Sequence, residues 1–241
     1  MAARLDLGKV VAGAFLVPWW HRGAFARALA IPVGLFMAYT ALAYYVLPAE
    51  LPWYAGLAAT LAYGLLFTLF AVTCHRLVLL DARSVAAEWR PRWTMRETRF
   101  LMWVAGFWLI GFMGLLVLLT IVVNAWGAVA GHDSFPLEWA QQAIKIALLY
   151  PFARLCLLFP ATAVERDPPP DLRWSWQLTR GNGWRLLIVV GALPWLFSLL
   201  VDLVYRSEAT TFEWLLVGVL AMALFAVEIA AVSLSYRELT A

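Results

Sequence analysis

Six stretches of this chain stay apolar over the roughly 20 residues that a helix needs to cross a hydrocarbon layer about 30 Å thick. No other feature constrains the fold as strongly. The runs are continuous rather than alternating, so they read as helices and not as barrel strands. They are placed at Ala28–Leu47, Trp53–Cys74 with a helical extension to Leu80, Met95–Asn124, Leu137–Phe159, Trp184–Tyr205 and Phe212–Ser235. The expected fold is therefore one all-α, polytopic membrane domain over residues 1–241. Its parts are an interfacial segment at 1–27 and a six-helix bundle at 28–236. Composition agrees. Apolar residues make up 64% of the 241 and charged residues 14%, against soluble norms of about 45–50% and about 25%. That balance excludes a disordered chain, a secreted disulfide scaffold and a soluble nucleic-acid binder.

The span starts carry recognisable signals. Thr94-x-x-Glu97 and Thr210-x-x-Glu213 have the form of capping boxes ahead of spans three and six. Pro52 opens span two, and Ser134 with Pro136 opens span four. The first apolar stretch, Val10–Trp20, is short and runs into Pro18 and Arg22 without a cleavage pattern. The whole chain is thus expected to be retained, with the first full span as its insertion signal.

Basic residues sort by connection. Arg4, Lys9, Arg22 and Arg27 precede span one. Arg76, Arg83, Arg90, Arg92, Arg96 and Arg99 lie between spans two and three. Arg166, Arg173, Arg180 and Arg185 lie between spans four and five, and Arg237 follows span six. The opposite side has Arg206 alone, beside Glu50, Asp133, Glu138, Glu208 and Glu213. By the positive-inside rule both chain ends are expected in the cytoplasm (N-in/C-in), and the Arg bias over Lys, beside abundant Ala and Trp, fits a GC-rich bacterial genome and so an expected bacterial inner membrane. Most tryptophans fall near span ends, as interfacial anchoring requires. Three basic, Trp-bearing segments precede the outward spans: WWHRGAFARAL, WRPRWTMRETRF and RWSWQLTRGNGW. They fit either three related hairpins or the edge that any such span needs.

The most informative connection is PPPDLRWSWQLTRGNGWR, residues 168–185. Three prolines extend the chain, Asp171 is a candidate N-cap, and Gly181 a candidate helix end. Between them Arg173, Gln177 and Arg180 form one polar stripe, with Leu172, Trp174, Trp176 and Leu178 on the rest. This predicts a cytoplasmic amphipathic elbow whose guanidiniums reach lipid phosphate. Arg173, Arg180, Arg185 and Asn182 are the candidate lipid or phosphate contacts. The alternative is an anchor that only sets the depth of span five.

The string SWQLTRGNGWRLL following ARLCLLFPATAVERD resembles a motif of six-span bacterial membrane proteins. Among these is the membrane domain attached to some glycerophosphoryl diester phosphodiesterases. The likeness covers about Ala153–Leu187. In that family the chemistry belongs to a separate soluble barrel, so the resemblance implies a membrane module and transfers no catalytic residue.

Span four is the least apolar, with Gln141, Gln142, Lys145, Pro151 and Arg154. A central Lys or Arg costs roughly 2.5–3.5 kcal/mol on the insertion scale, so these charges should face partners inside the bundle. Helical rise puts Arg154 about 8 Å and Glu228 about 11–12 Å from the inner ends of their spans, which predicts an Arg154–Glu228 pair. Lys145 is matched with Asp202, or else snorkels outward. These groups could form a structural clamp or a polar route.

No nucleophile elbow, zinc helix or phosphate-binding loop is present in the sequence, and no cofactor or metal motif. The histidines stand apart in His21, His75 and His132, with His75-Arg76 read as an interface pair. Cys74 and Cys156 read as small buried apolar residues. The function expected is a non-enzymatic inner-membrane module that contacts membrane lipids or another membrane protein. The alternative is a small transporter or transporter subunit, with Lys145, Arg154 and Glu228 along its route.

Overall fold

A computed structural model describes residues 4–45, 52–90, 92–130, 137–205 and 211–241. Among them there is no strand, and six helices have the length and apolarity to cross a membrane. In chain order the elements begin with α1 (Leu7–Trp20), α2 (Arg22–Tyr45), α3 (Trp53–Leu79), α4 (Ala82–Glu88) and α5 (Met95–Ala130). Then come α6 (Leu137–Leu155), α7 (Leu158–Ala163), α8 (Leu172–Leu178), α9 (Gly183–Leu187), α10 (Leu193–Tyr205) and α11 (Thr211–Thr240). The membrane-length segments are Arg22–Leu42, Trp53–Leu79, Met95–Trp126, Glu138–Ala163, Gly183–Val201 and Leu215–Thr240. Each overlaps one of the six expected from the apolar runs, although the first begins at Arg22, within the stretch expected to be interfacial.

Local signals account for the helix ends. Pro52 precedes α3 at its N-cap. The Glu97 carboxylate accepts from the Thr94 backbone N–H at 2.8 Å and from the Thr94 hydroxyl, which opens α5 as the spacing requires. Thr210, Ser134 and Pro136 lie outside the described residues. Between α9 and α10 the chain makes a π-helical turn, Ile188–Ala192, in which the Leu193 N–H donates to the Ile188 carbonyl. Pro194 follows immediately. Its ring would clash with a carbonyl four residues back, and the wider turn removes that conflict.

The tightly buried core lies toward the arginine-rich ends of the helices. It draws on Phe70–Val78 of α3, Leu157, Leu158 and Ala161 around α7, Leu186 and Val189, and Ala226–Leu234 of α11. From Leu101 to Trp126, by contrast, α5 has no buried residue. It is an edge helix, held to α6 by Phe107 against Phe152 and by Leu148 lying close to Gly114. Such an exposed apolar face is stable where lipid tails replace water. Cys74 and Cys156 are both buried free thiols, as read from the sequence.

Residues 7–20, expected as part of an interfacial segment, form a helix laid along α11. Asp6 caps α1 by accepting from the Lys9 N–H at 3.1 Å. Val10 and Ala14 are buried, and a Cβ on Gly13 would stand 2.9 Å from Leu234 Cδ1. Small residues thus let the two helices approach closely. The start of α1 is pinned as well. The Leu5 N–H donates to Asn182 Oδ1 at 2.9 Å and the Asp6 N–H to Glu238 Oε2 at 3.2 Å.

Candidate functional site at the arginine-rich end

The connection between the fourth and fifth spans is built in three steps. First, α7 ends in a two-bond closure: Glu165 N–H to Thr162 C=O at 3.1 Å and Arg166 N–H to Ala161 C=O at 3.0 Å. This geometry usually places glycine at the left-handed position, yet here Glu165 occupies it with φ 53°. Second, the chain passes a cis Asp167–Pro168 bond and reaches Asp171, whose carboxylate accepts from the Trp174 N–H at 2.6 Å and starts α8. Third, α8 closes at Thr179, and Gly181 at φ 81° turns the chain into α9. The Asp171 cap and the Gly181 turn are those read from the sequence.

The inner face of α8 is not what the sequence suggested. Ser175 and Thr179 are fully buried; the Ser175 hydroxyl donates to the Arg154 carbonyl at 3.0 Å, and the Thr179 hydroxyl shares its proton between that carbonyl, at 3.1 Å, and the Ser175 carbonyl, at 2.8 Å. The Arg154 carbonyl belongs to the last turn of α6, where a helix leaves its carbonyls without partners. The elbow therefore docks by satisfying an orphan acceptor. Arg154 completes the joint. Its Nε donates to Thr179 Oγ1 at 3.0 Å, its Nη2 donates to the Trp176 carbonyl, and its guanidinium carbon lies 3.9 Å from the Trp176 ring centroid.

This corrects the expected Arg154–Glu228 pair. No ion pair joins them, and Arg154 is taken up by the elbow. The returning chain packs against α6 through α8 and α9, which puts the elbow within reach of Arg154. Glu228 stays half-buried on α11 without an ion partner among the described residues. Lys145 is exposed on α6, and the Asp202 side chain expected to face it lies outside the described residues.

The candidate headgroup contacts divide. Arg173, Gln177 and Arg180 are all exposed and form the outward stripe of the elbow. Trp176 and Trp184 stand exposed beside them. Arg185 is half-buried and donates to Asn182 Oδ1 at 3.3 Å. Asn182 is corrected as a lipid contact: it is 2% exposed, and its amide oxygen faces inward to hold Leu5 and Arg185.

Further polar links, missed by reading the arginines only as charges, tie the same end together. Arg96 bridges Glu97 at 2.7 Å and Glu165 at 3.2 Å, joining α5 to the end of α7. Arg76 donates to the Ala163 carbonyl at 3.3 Å, and Trp89 Nε1 to Thr73 Oγ1 at 3.1 Å. His75 is not an interface group but is buried in the bundle, its Nδ1 2.7 Å from Ser233 Oγ. The Ser233 hydroxyl also stands 2.8 Å from the Ile229 carbonyl, so the direction of its bond with Nδ1 follows the imidazole tautomer. Among the described residues no cluster of His, Cys, Asp or Glu is placed to hold a metal ion. No family model, curated protein or solved structure matches this chain.

Proposed function

We propose that this chain is a non-enzymatic module of a bacterial inner membrane, with both ends in the cytoplasm. In this reading its arginine-rich face engages anionic lipid headgroups or a partner membrane protein. One observation carries it. A short helix, α8, is locked at its inner face by Ser175 and Thr179 on the Arg154 carbonyl, and presents Arg173, Gln177 and Arg180 outward with two exposed tryptophans alongside. Fixed cations at the depth of an indole belt suit the phosphate layer of a bilayer. The resemblance of residues 153–187 to the membrane domain of certain glycerophosphoryl diester phosphodiesterases supports the same reading.

The test is lipid enrichment around the purified protein after partial delipidation from a mixed phosphatidylglycerol and phosphatidylcholine membrane. Replacing Arg173, Arg180 and Arg185 together by alanine is expected to reduce the excess of the anionic lipid around the protein. An unchanged preference would remove the elbow from the account. The transporter reading draws on half-buried Glu228, which lacks an ion partner among the described residues. It loses Arg154 as a mobile charge, because that guanidinium is engaged by the elbow. Substrate-dependent flux in liposomes that Glu228→Gln abolishes would favour it.

A further inference from the structure

A cavity of about 350 Å³ opens between the first turns of α5 and the chain from Thr162 to Leu172. It lies on the α5 side of the joint, apart from the outward stripe of α8. Its rim holds three guanidiniums, those of Arg96, Arg99 and Arg166, against one carboxylate, that of Glu165. Arg96 is engaged by Glu97 and Glu165, and Arg166 stacks 4.5 Å from the centroid of Trp174. Arg99 is exposed and has no ion pair among the described residues. The rim thus carries excess positive charge that the protein does not itself neutralise.

Below the rim the wall changes character. Trp103, Phe107 and Ile110 line the cavity on α5, and Gly106 between them leaves open space where a Cβ would point. Met102 and Ile110 are also exposed on the outer face of this edge helix, so the cavity opens sideways toward lipid.

We infer that this cavity is a binding site for a single anionic glycerophospholipid. The phosphate is held by Arg99 and Arg166 with Arg96 behind them, and one acyl chain lies along Trp103, Phe107 and Ile110. Charge selects the headgroup, because guanidiniums bind phosphate through charge-assisted hydrogen bonds. The lateral opening selects a lipid over a soluble phosphate. The volume suits part of one molecule, at the lower end of the roughly 300–1,000 Å³ typical of ligand pockets. Glu165, held in a left-handed conformation, tunes the rim by drawing on Arg96. The inference deepens the lipid-contact reading but rests on different residues.

Native mass spectrometry of the full chain, released from detergent micelles with phosphatidylglycerol or phosphatidylcholine, tests it. The expected result is one tightly retained phosphatidylglycerol, with phosphatidylcholine and glycerol phosphate not retained. Arg99→Gln with Arg166→Gln should weaken retention by at least about tenfold. Gly106→Leu starts from a Cβ with no protein atom within 4 Å, extends a side chain into the apolar groove and should also expel the lipid, while helix propensity keeps α5 intact. Glu165→Gln should strengthen retention. The triple alanine variant of Arg173, Arg180 and Arg185 should leave the single tight lipid in place, so failure of the elbow reading and failure of this one are separable. Retention unchanged in both Gly106→Leu and the double glutamine variant would overturn the inference, as would equal retention of phosphatidylcholine. Retention of glycerol phosphate alone would assign the rim to a soluble anion and also overturn it.

Discussion

Replacing Thr179 by valine keeps the shape of the side chain and removes one buried hydroxyl, and so isolates the joint between α8 and α6. That hydroxyl accepts from Arg154 Nε at 3.0 Å and shares its proton between the carbonyls of Arg154, at 3.1 Å, and Ser175, at 2.8 Å. In the variant the guanidinium keeps the Trp176 carbonyl and ring, and the Arg154 carbonyl keeps the Ser175 hydroxyl at 3.0 Å. What is lost is one charge-assisted hydrogen bond from a half-buried guanidinium to a fully buried hydroxyl, so local undocking should become easier by about 1.5–3 kcal/mol. In hydrogen exchange this is roughly a ten- to hundredfold faster rate for the amides of α8 and α9, since 1.4 kcal/mol is a factor of ten. The amides of α3 and α11 should not change. Ser175→Ala alone should have a smaller effect, about 0.5–1.5 kcal/mol, because one hydroxyl still serves the carbonyl. The double variant should exceed the sum of the two, as both hydroxyls share one acceptor. Exchange over α8 that stays at the wild-type rate in the double variant would refute docking through the Arg154 carbonyl.

Three further substitutions probe the same end of the molecule, each read as thermal stability of the purified protein in one detergent. Gly183→Ala would place a Cβ 2.7 Å from Tyr150 Oη and 2.8 Å from Arg154 Cδ, so a loss of about 1–3 kcal/mol is expected; unaltered melting would mean that α9 does not pack this closely on α6. Gly181→Ala meets no atom but must adopt φ 81°, so its cost of about 1–2 kcal/mol is purely conformational, and Gly181→Asn should recover part of it. Ser233→Ala leaves the buried His75 Nδ1 without its partner, with an expected loss of about 1–3 kcal/mol that Ser233→Thr restores in part.

How much of this was readable in advance depends on what fixes each feature. The six spans were legible because apolarity over the length of a helix depends on the solvent and needs no knowledge of packing. The Asp171 cap, the Gly181 turn and the Thr94–Glu97 box were legible because each is set by a few adjacent residues. Arg154 was misassigned because helical rise gives depth along an axis, whereas pairing also needs rotation about it and the path of the returning chain. Ser175 and Thr179 were passed over because two hydroxyls among tryptophans carry no signal until the free carbonyl they serve is known. Asn182 looked like a headgroup contact because it stands at the start of span five beside the arginine stripe, and nothing local announced that Leu5 would return to it. The N-terminal helix was underread for a related reason. A run too short to span a bilayer looks interfacial, and the glycine contact that lays it on α11 is a long-range fact.

The central claim is that the arginine-rich end, with the elbow, faces the cytoplasm. Cys74 and Cys156 are buried, so a single introduced thiol at the exposed elbow, Arg173→Cys, can be read against a quiet background. The measurement is labelling of that thiol by a membrane-impermeant maleimide in intact bacterial cells whose outer membrane has been made permeable, compared with inside-out vesicles. The account predicts no label in the cells and full label in the vesicles; full label in the cells would place the elbow outside and contradict it.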